Sequence, residues 1–297
     1  MKKTWIIIAA SLILAGALIF VGVMSMLKWD FKKLSTSRYV TNSHEISEEF
    51  SNIHIKTDTA RVTFVPADGA PRVECWEEEQ ASHAVSVEDG TLEIKLQDRR
   101  KWYHHIGINF GAPKVTVYLP TGTYGALHIN QSTGAVDIPP EFTFESMDIS
   151  LSTGAVTTGA NVTGDMKIQT STGHIAVTDV TCGGEVNVQV TTGKSTLTNV
   201  NCASLISTGN TGHMTLKNVI ATEGFSIKRS TGDVKLEGCD AAEIYITTDT
   251  GDVTGSLLTE KVFITKTSTG KINVPESTTG GKCKITTTTG NIQISVE

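Results

Sequence analysis

Residues 149–156 read Ile-Ser-Leu-Ser-Thr-Gly-Ala-Val, and residues 168–175 read Ile-Gln-Thr-Ser-Thr-Gly-His-Ile. Both carry Ser-Thr-Gly, with an aliphatic residue five places before the glycine and another two places after it. The signature extends in both directions. A Thr-Gly pair recurs with its glycine at Gly134, Gly154, Gly173, Gly193, Gly212, Gly232, Gly251, Gly270 and Gly290, 19 or 20 residues apart at each step. A fixed period near 20 marks a solenoid.

The flanking positions say what each repeat contains. Two places after the glycine stand Val136, Val156, Ile175, Met214, Val234, Val253, Ile272 and Ile292, with Ser195 the exception. Five places before it stand Ile129, Ile149, Ile168, Val188, Ile227, Ile246 and Ile285, with Ser207 and Thr265 as exceptions. Apolar residues alternating at period two in Thr/Val/Ile-rich runs are the strand signal. Each repeat is therefore two short strands meeting at a Ser-Thr-Gly corner, where glycine supplies a backbone conformation that a Cβ would penalise. Val180, Val200, Val219 and Cys239 mark a second corner. One repeat cannot bury its apolar face alone, so copies stack at about 4.8 Å and their aliphatic side chains form ladders. The nine corners give a column about 38 Å tall at that spacing. The sequence thus predicts an all-β fold, a single-stranded β-solenoid with turns of about 19–20 residues. Leucine-rich and helical repeats lack this pattern. A propeller, with two repeats per four-stranded blade, is the alternative.

A degenerate form of the pattern lies upstream. Ile53 and Ile55 precede Ala60, and Val62 and Phe64 follow it. Val85 and Val87 precede Gly90, and Leu92 and Ile94 follow it. The expected organisation is a membrane anchor over 1–28, a linker over 29–45, degenerate first turns over 46–130, and the regular solenoid over 131–297. Segments 66–83 and 97–113 are read as insertions into the early turns.

The amino terminus differs in kind. Trp5 to Leu27 runs 23 residues without a charge, with Trp5 and Trp29 at the two ends. As a helix it is about 34 Å long, enough to cross a bilayer core. No small-x-small cleavage site follows it, so the reading is an uncleaved single-pass anchor in a bacterial cell membrane. Lys28, Lys32, Lys33 and Arg38 on the far side argue for a cytoplasmic domain. The Met-Lys-Lys start before an apolar run has the layout of a secretory signal, and an extracytoplasmic domain is the expectation.

Composition narrows the function. The 297 residues are 39% hydrophobic and 19% charged, with 27 Gly, which excludes a disordered polyampholyte. Residues 1–38 hold six Lys/Arg against Asp30, leaving 19 basic against 30 acidic residues beyond, and so acidic a main domain argues against nucleic acid.

No catalytic motif survives its context. Gly193-Lys194-Ser195 resembles the end of a phosphate loop, but the upstream glycine position is Val188. Ser268-Thr269-Gly270-Lys271 has the Ser-x-x-Lys spacing of acyl-serine enzymes, yet is one copy of the corner. Without a Cys-x-x-Cys pair, no zinc site is expected. Cys182 and Cys202 lie one turn apart; a disulfide or two thiols both fit the sequence. Asp233 and Asp252 share a column and read as a solvated face, with Lys271 expected next in it. His174 and His213 have Lys194 between them. No cofactor and no metal are called for.

Lys101-Trp102-Tyr103-His104-His105-Ile106 is the least repetitive stretch. Aromatic-rich irregular loops are where binding concentrates. Trp102, Tyr103, His104 and His105 are the candidate binding residues. The same loop also reads as a lid over an open solenoid end.

The Ser-Thr-Gly ladder, the degenerate first turns and the strand Val115-Thr116-Val117-Tyr118-Leu119-Pro120 together resemble the bacterial putative-adhesin family, a domain of unknown function built of β-strand repeats, over roughly 46–297. The resemblance implies a surface β-solenoid, often behind one membrane helix, and supplies no catalytic residues. The leading expectation is a non-enzymatic, membrane-anchored module contacting an extracellular protein or glycan. The alternatives are a tethered component of envelope-stress signalling and a polysaccharide-active β-helix enzyme. The enzyme would need long loops, for which repeats of 19–20 leave no room. Ice binding by the threonine ladders is weakened by Lys194, Lys228, Arg229 and Asp249, read as interrupting them.

Overall fold

The computed structural model describes residues 2–30, 38–100 and 111–297. Helix α1 (Lys2–Met26) is long and apolar enough to cross a membrane. The rest is strand. β1 (Tyr39–Glu45) leads to β2 (Asn52–Thr59) and β3 (Arg61–Pro66), which meet at Ala60. β4 (Arg72–Glu78) and β5 (Ala81–Glu88) follow, then β6 (Thr91–Asp98) and β7 (Lys114–Leu119). β8 (Gly122–Ile138) and β9 (Phe142–Thr158) are the first regular turns. The coil continues as β10 (Asn161–Val162), β11 (Met166–Thr181), β12 (Glu185–Thr211), β13 (Met214–Thr231), β14 (Val234–Thr250) and β15 (Val253–Leu257). It ends with β16 (Lys261–Thr269), β17 (Ile272–Asn273), β18 (Gly281–Thr289) and β19 (Ile292–Val296).

Successive turns pair in parallel and in register, corner glycine beside corner glycine, as in Gly134–Gly154–Gly173–Gly193. One ladder runs Val115, Val62, Val136, Val156, Ile175, Ser195, Met214, Val234, Val253, Ile292, Ile272. All but the last are at most 1% exposed. The β-solenoid expectation holds, and the core is these stacked aliphatic ladders. All five cysteines are free and buried, so Cys182 and Cys202 are thiols.

The stacking order differs from the sequence order at both ends. β6 pairs with β2 and β7 with β3, so the second turn in sequence lies outside the first. β8 covers the opposite side of both β2 and β3. At the carboxyl end β18 lies between β14 and β16, and β19 between β15 and β17. The last turn in sequence is thus inserted beneath the one before it. Ile272, expected in the buried ladder, is 45% exposed because its turn is outermost. The aspartate column likewise continues from Asp252 to Asn291, whose side chain donates to Asp252 Oδ1 at 3.3 Å, before reaching Lys271.

Three other expectations are corrected. Gly90 is not a solenoid corner. Asp89 and Gly90, at φ 48° and 71°, form the two-residue turn of an antiparallel β5–β6 hairpin. Segment 66–83 is not a plain insertion, since β4 pairs antiparallel with both β1 and β7. Arg229 does not interrupt a surface ladder. It points into the core at 3% exposure, and Nη2 donates to Ser207 Oγ at 2.8 Å and Ser195 Oγ at 3.3 Å. Ser195 and Ser207, two of the three exceptions in the aliphatic columns, are its partners, and Gly209 makes room for it because a Cβ there would overlap Nη1. Burial pushes the guanidinium down to about 10.

The second corner has its own signature, one position before the valines. Asp179, Asn199, Asn218 and Gly238 take φ of 58°, 53°, 50° and 58°. Asn and Asp tolerate this left-handed conformation better than other side-chain-bearing residues. Their side chains also stack, with Asn199 Nδ2 donating to Asp179 Oδ1 at 2.6 Å and Asn218 Nδ2 to Asn199 Oδ1 at 2.9 Å.

The inserted last turn can be tested by cross-linking. Thr247 is the register neighbour of Thr286, and Thr286 of Lys266. A thiol reagent spanning one strand spacing, about 5 Å, and not two should join Thr247→Cys to Thr286→Cys. It should not join Thr247→Cys to Lys266→Cys. The reverse result would show the turns stacked in sequence order.

Candidate functional site

The segment holding Trp102, Tyr103, His104 and His105 lies outside the described residues. Its neighbours Arg100 and Gly111 do not, and both line a cavity of about 160 Å³ at the amino-terminal end of the solenoid. Tyr39, Asp58, Glu78 and His83 contribute to the same wall. The antiparallel strands β1, β4 and β5 build this region, a cap on the outermost parallel turn, β6–β7.

Arg100 organises the cavity. Its guanidinium donates to Asp98 through Nε at 2.9 Å and Nη2 at 2.6 Å, and through Nη1 to Glu78 Oε2 at 3.2 Å. The hydrogen bonds to Asp98 raise its already high proton affinity. The Tyr39 hydroxyl donates toward Glu78 Oε1 at 3.3 Å and the Gly111 carbonyl at 3.1 Å. Glu78 is only 7% exposed, and these donors satisfy its carboxylate.

Alternation along β4 divides its side chains. Arg72, Glu74 and Trp76 face outward, while Val73, Cys75 and Glu77 face the interior. On the outer face Tyr39 stacks on Trp76, with ring centroids 4.4 Å apart, and Lys114 Nζ lies 5.9 Å from the Trp76 ring. Arg72 lies over Tyr118 at 3.9 Å, and the Tyr118 hydroxyl donates to Glu74 Oε2 at 3.2 Å. The result is an exposed surface of aromatic rings flanked by both signs of charge, unlike the Ser/Thr ladders.

On the inner face Glu77 is fully buried. It accepts from Asn42 Nδ2 at 2.7 Å, the His83 backbone at 2.7 Å and His83 Nδ1 at 2.6 Å. Burial alone would raise its carboxyl, but these hydrogen bonds hold it below its ordinary value. Thr57 Oγ1 lies 2.8 Å from His83 Nε2. Burial, assisted by the charge of Glu77, pushes the adjacent Cys75 thiol up to about 12. The sequence reading missed Cys75, Trp76, Glu77 and His83, having set residues 66–83 aside as an insertion, and Tyr39, having read 29–45 as a linker. The Cys-x-Glu spacing on a strand was the available signal.

The family model for Toastrack DUF4097 matches residues 50–218 and 183–297. The chain belongs to this family. The match agrees with the resemblance drawn from the repeats. No curated protein matches the sequence. Among solved structures, a "putative lipid binding protein" from Parabacteroides distasonis is 13% identical, with a TM-score of 0.52, covering 88% of this chain and 98% of its own. That likeness is one of fold. A "putative adhesin" from Bacteroides fragilis is 16% identical with a TM-score of 0.46, covering 88% of this chain and 98% of its own.

Arg100 gives a stability test of the cap. Arg100→Ala leaves Glu78 buried with a lost partner and should cost about 1–3 kcal/mol. Arg99→Ala, on an exposed side chain, should stay within about 0.5 kcal/mol. Urea midpoints decide, and equal shifts would show that the Glu78–Arg100 contact does not hold the cap.

Proposed function

We propose that this protein is a membrane-anchored, non-enzymatic surface module that contacts an extracellular protein or glycan through its amino-terminal cap. The observation carrying this reading is the outer face of β1, β4 and β7, where Trp76, 36% exposed, stacks on Tyr39 among Lys114, Arg72 and Tyr118. Exposed aromatic and arginine side chains are the usual anchors of recognition surfaces. Trp102, Tyr103, His104 and His105 fall in sequence between Arg100 and Gly111, two residues that line the cavity at this end. The regular turns support a binding role rather than catalysis. Their columns present like residues at one spacing, whereas catalysis needs unlike groups converging within about 3 Å of a reacting atom. Helix α1 supplies the anchor in this reading, and the solenoid extends from the outer side of the membrane.

Orientation is tested on intact cells. Every native cysteine is buried, so Arg99→Cys provides one exposed thiol. A membrane-impermeant maleimide should label it without lysis; labelling only after lysis would place the domain in the cytoplasm.

The contact surface is tested by cross-linking to partners in intact membranes. Trp76→Ala, and separately Ser at positions 102–105, should each abolish the cross-linked species while the far-UV β spectrum is kept. Undiminished cross-linking in both variants would move the contact to the threonine ladders.

A further inference from the structure

We propose that Cys75, Glu77 and His83 form a binding site for one zinc-class divalent cation inside the amino-terminal cap. This goes beyond the contact role above and does not depend on it. One thiol, one carboxylate and one imidazole each offer a ligand atom here, and the three lie within 4.8 Å of one another. Cys75 and Glu77 are 0% exposed and His83 is 4% exposed. Zinc binds sulfur at about 2.3 Å and nitrogen or oxygen at about 2.0–2.2 Å, so tetrahedral donors stand about 3.3–3.7 Å apart. Reaching that geometry means opening the 2.6 Å contact between Glu77 Oε2 and His83 Nδ1 and drawing the thiol inward.

The surrounding groups are placed as the outer partners of a metal site. Asn42 Nδ2 holds Glu77 Oε1, which leaves Oε2 for the cation. Thr57 Oγ1 holds His83 Nε2, which leaves Nδ1 for the cation. Such outer contacts fix ligand orientation and imidazole tautomer. Cys75 and Glu77 stand two apart on β4, a strand paired on both sides, so their spacing is rigid. A carboxylate–imidazole pair alone would be complete without Cys75, whose thiol hydrogen-bonds to nothing among the described residues.

Charge and protons balance. On binding, the Cys75 thiol loses its proton to solvent. The proton shared by Glu77 and His83 moves to Nε2, where Thr57 Oγ1 accepts it. Thiolate and carboxylate then neutralise the dication, so the buried site carries no net charge. The mixed sulfur, nitrogen and oxygen set suits zinc or cobalt and not the hard cations magnesium and calcium. His83 also lines the 160 Å³ cavity beside Asp58 and Glu78, and Cys75 and Glu77 do not, so a cation entering from it would meet His83 first.

The test uses the full chain in detergent micelles, stripped with a chelator and dialysed against zinc. One zinc per chain is expected, with one sulfur at about 2.3 Å by zinc-edge X-ray absorption. Cobalt should give a thiolate charge-transfer band that Cys75→Ser and His83→Gln abolish. Thr57→Val should weaken zinc binding about 10–100-fold at unchanged stoichiometry. A chain with an intact β spectrum that takes up no zinc overturns the proposal. A sulfur-free zinc shell also overturns it, which separates this site from binding to surface histidines. Undiminished zinc binding by a folded Cys75→Ser variant does so too. Should that variant fail to fold, the absorption edge of the unaltered chain decides alone.

Discussion

Each regular corner glycine sits directly over the carbonyl oxygen of the corner below. A Cβ at Gly154, Gly173, Gly193 or Gly212 would overlap the carbonyl oxygen of Gly134, Gly154, Gly173 or Gly193 in turn. Their φ values, 133° to 155°, lie where side-chain-bearing residues are strained. This close approach fixes both the rise and the register of the coil. Once the corner is fixed, residues two and four places later and five places earlier are bound to face inward. The alternation of 19 and 20 is then absorbed away from the corner. The register slips between Cys202 and Ser204, and again between Ala221 and Gly224, while corner and core stay aligned.

A parallel stack held this way has two open ends, and unpaired strand edges invite uncontrolled pairing. The amino end is closed by antiparallel strands, β5 against β6 and β4 against β7, with β1 outside β4. The carboxyl end uses a different device. Because β18 and β19 are inserted below β16 and β17, β18 is paired on both sides and β19 is so paired at Ile292 and Gln293, and the outermost turn is tethered at both of its ends.

The corners and the aliphatic columns were legible because both are periodic, and periodicity is what a solenoid writes into its sequence. The order of turns was not legible for the same reason. The turns at Gly270 and Gly290 carry the same corner and the same isoleucine two places later, and a single residue of the aliphatic columns, Thr265 against Ile285, is what separates them. Gly90 misled because a strand of a hairpin and a strand of a solenoid share period two. Arg229 misled because its environment is built from three other exceptions, Ser195, Ser207 and Gly209, that meet only in three dimensions. At the candidate site, 97–113 was marked by aromatics that lie outside the described residues, while Arg100 and Gly111 of the same segment line the cavity. Cys75, Glu77 and His83 went unread because 66–83 lacked the corner signature.

These misreadings share a cause that bears on function. A ladder places copies of one residue side by side, and copies of one residue make a surface or a core. A site needs unlike groups to converge. In this chain they converge where the stacking rule is broken. Inside the coil one such place is Arg229, where Nη2 meets two serine hydroxyls and the buried Nε has no partner among the described residues. At the cap, reversed strand direction brings β1, β4 and β5 together with residues drawn from different local patterns. The cap thus holds a carboxylate bridged by Arg100 and Tyr39, an aromatic stack, and a buried thiol beside a carboxylate and an imidazole. The regular turns give length and rigidity, and unlike groups gather at the end where regularity stops.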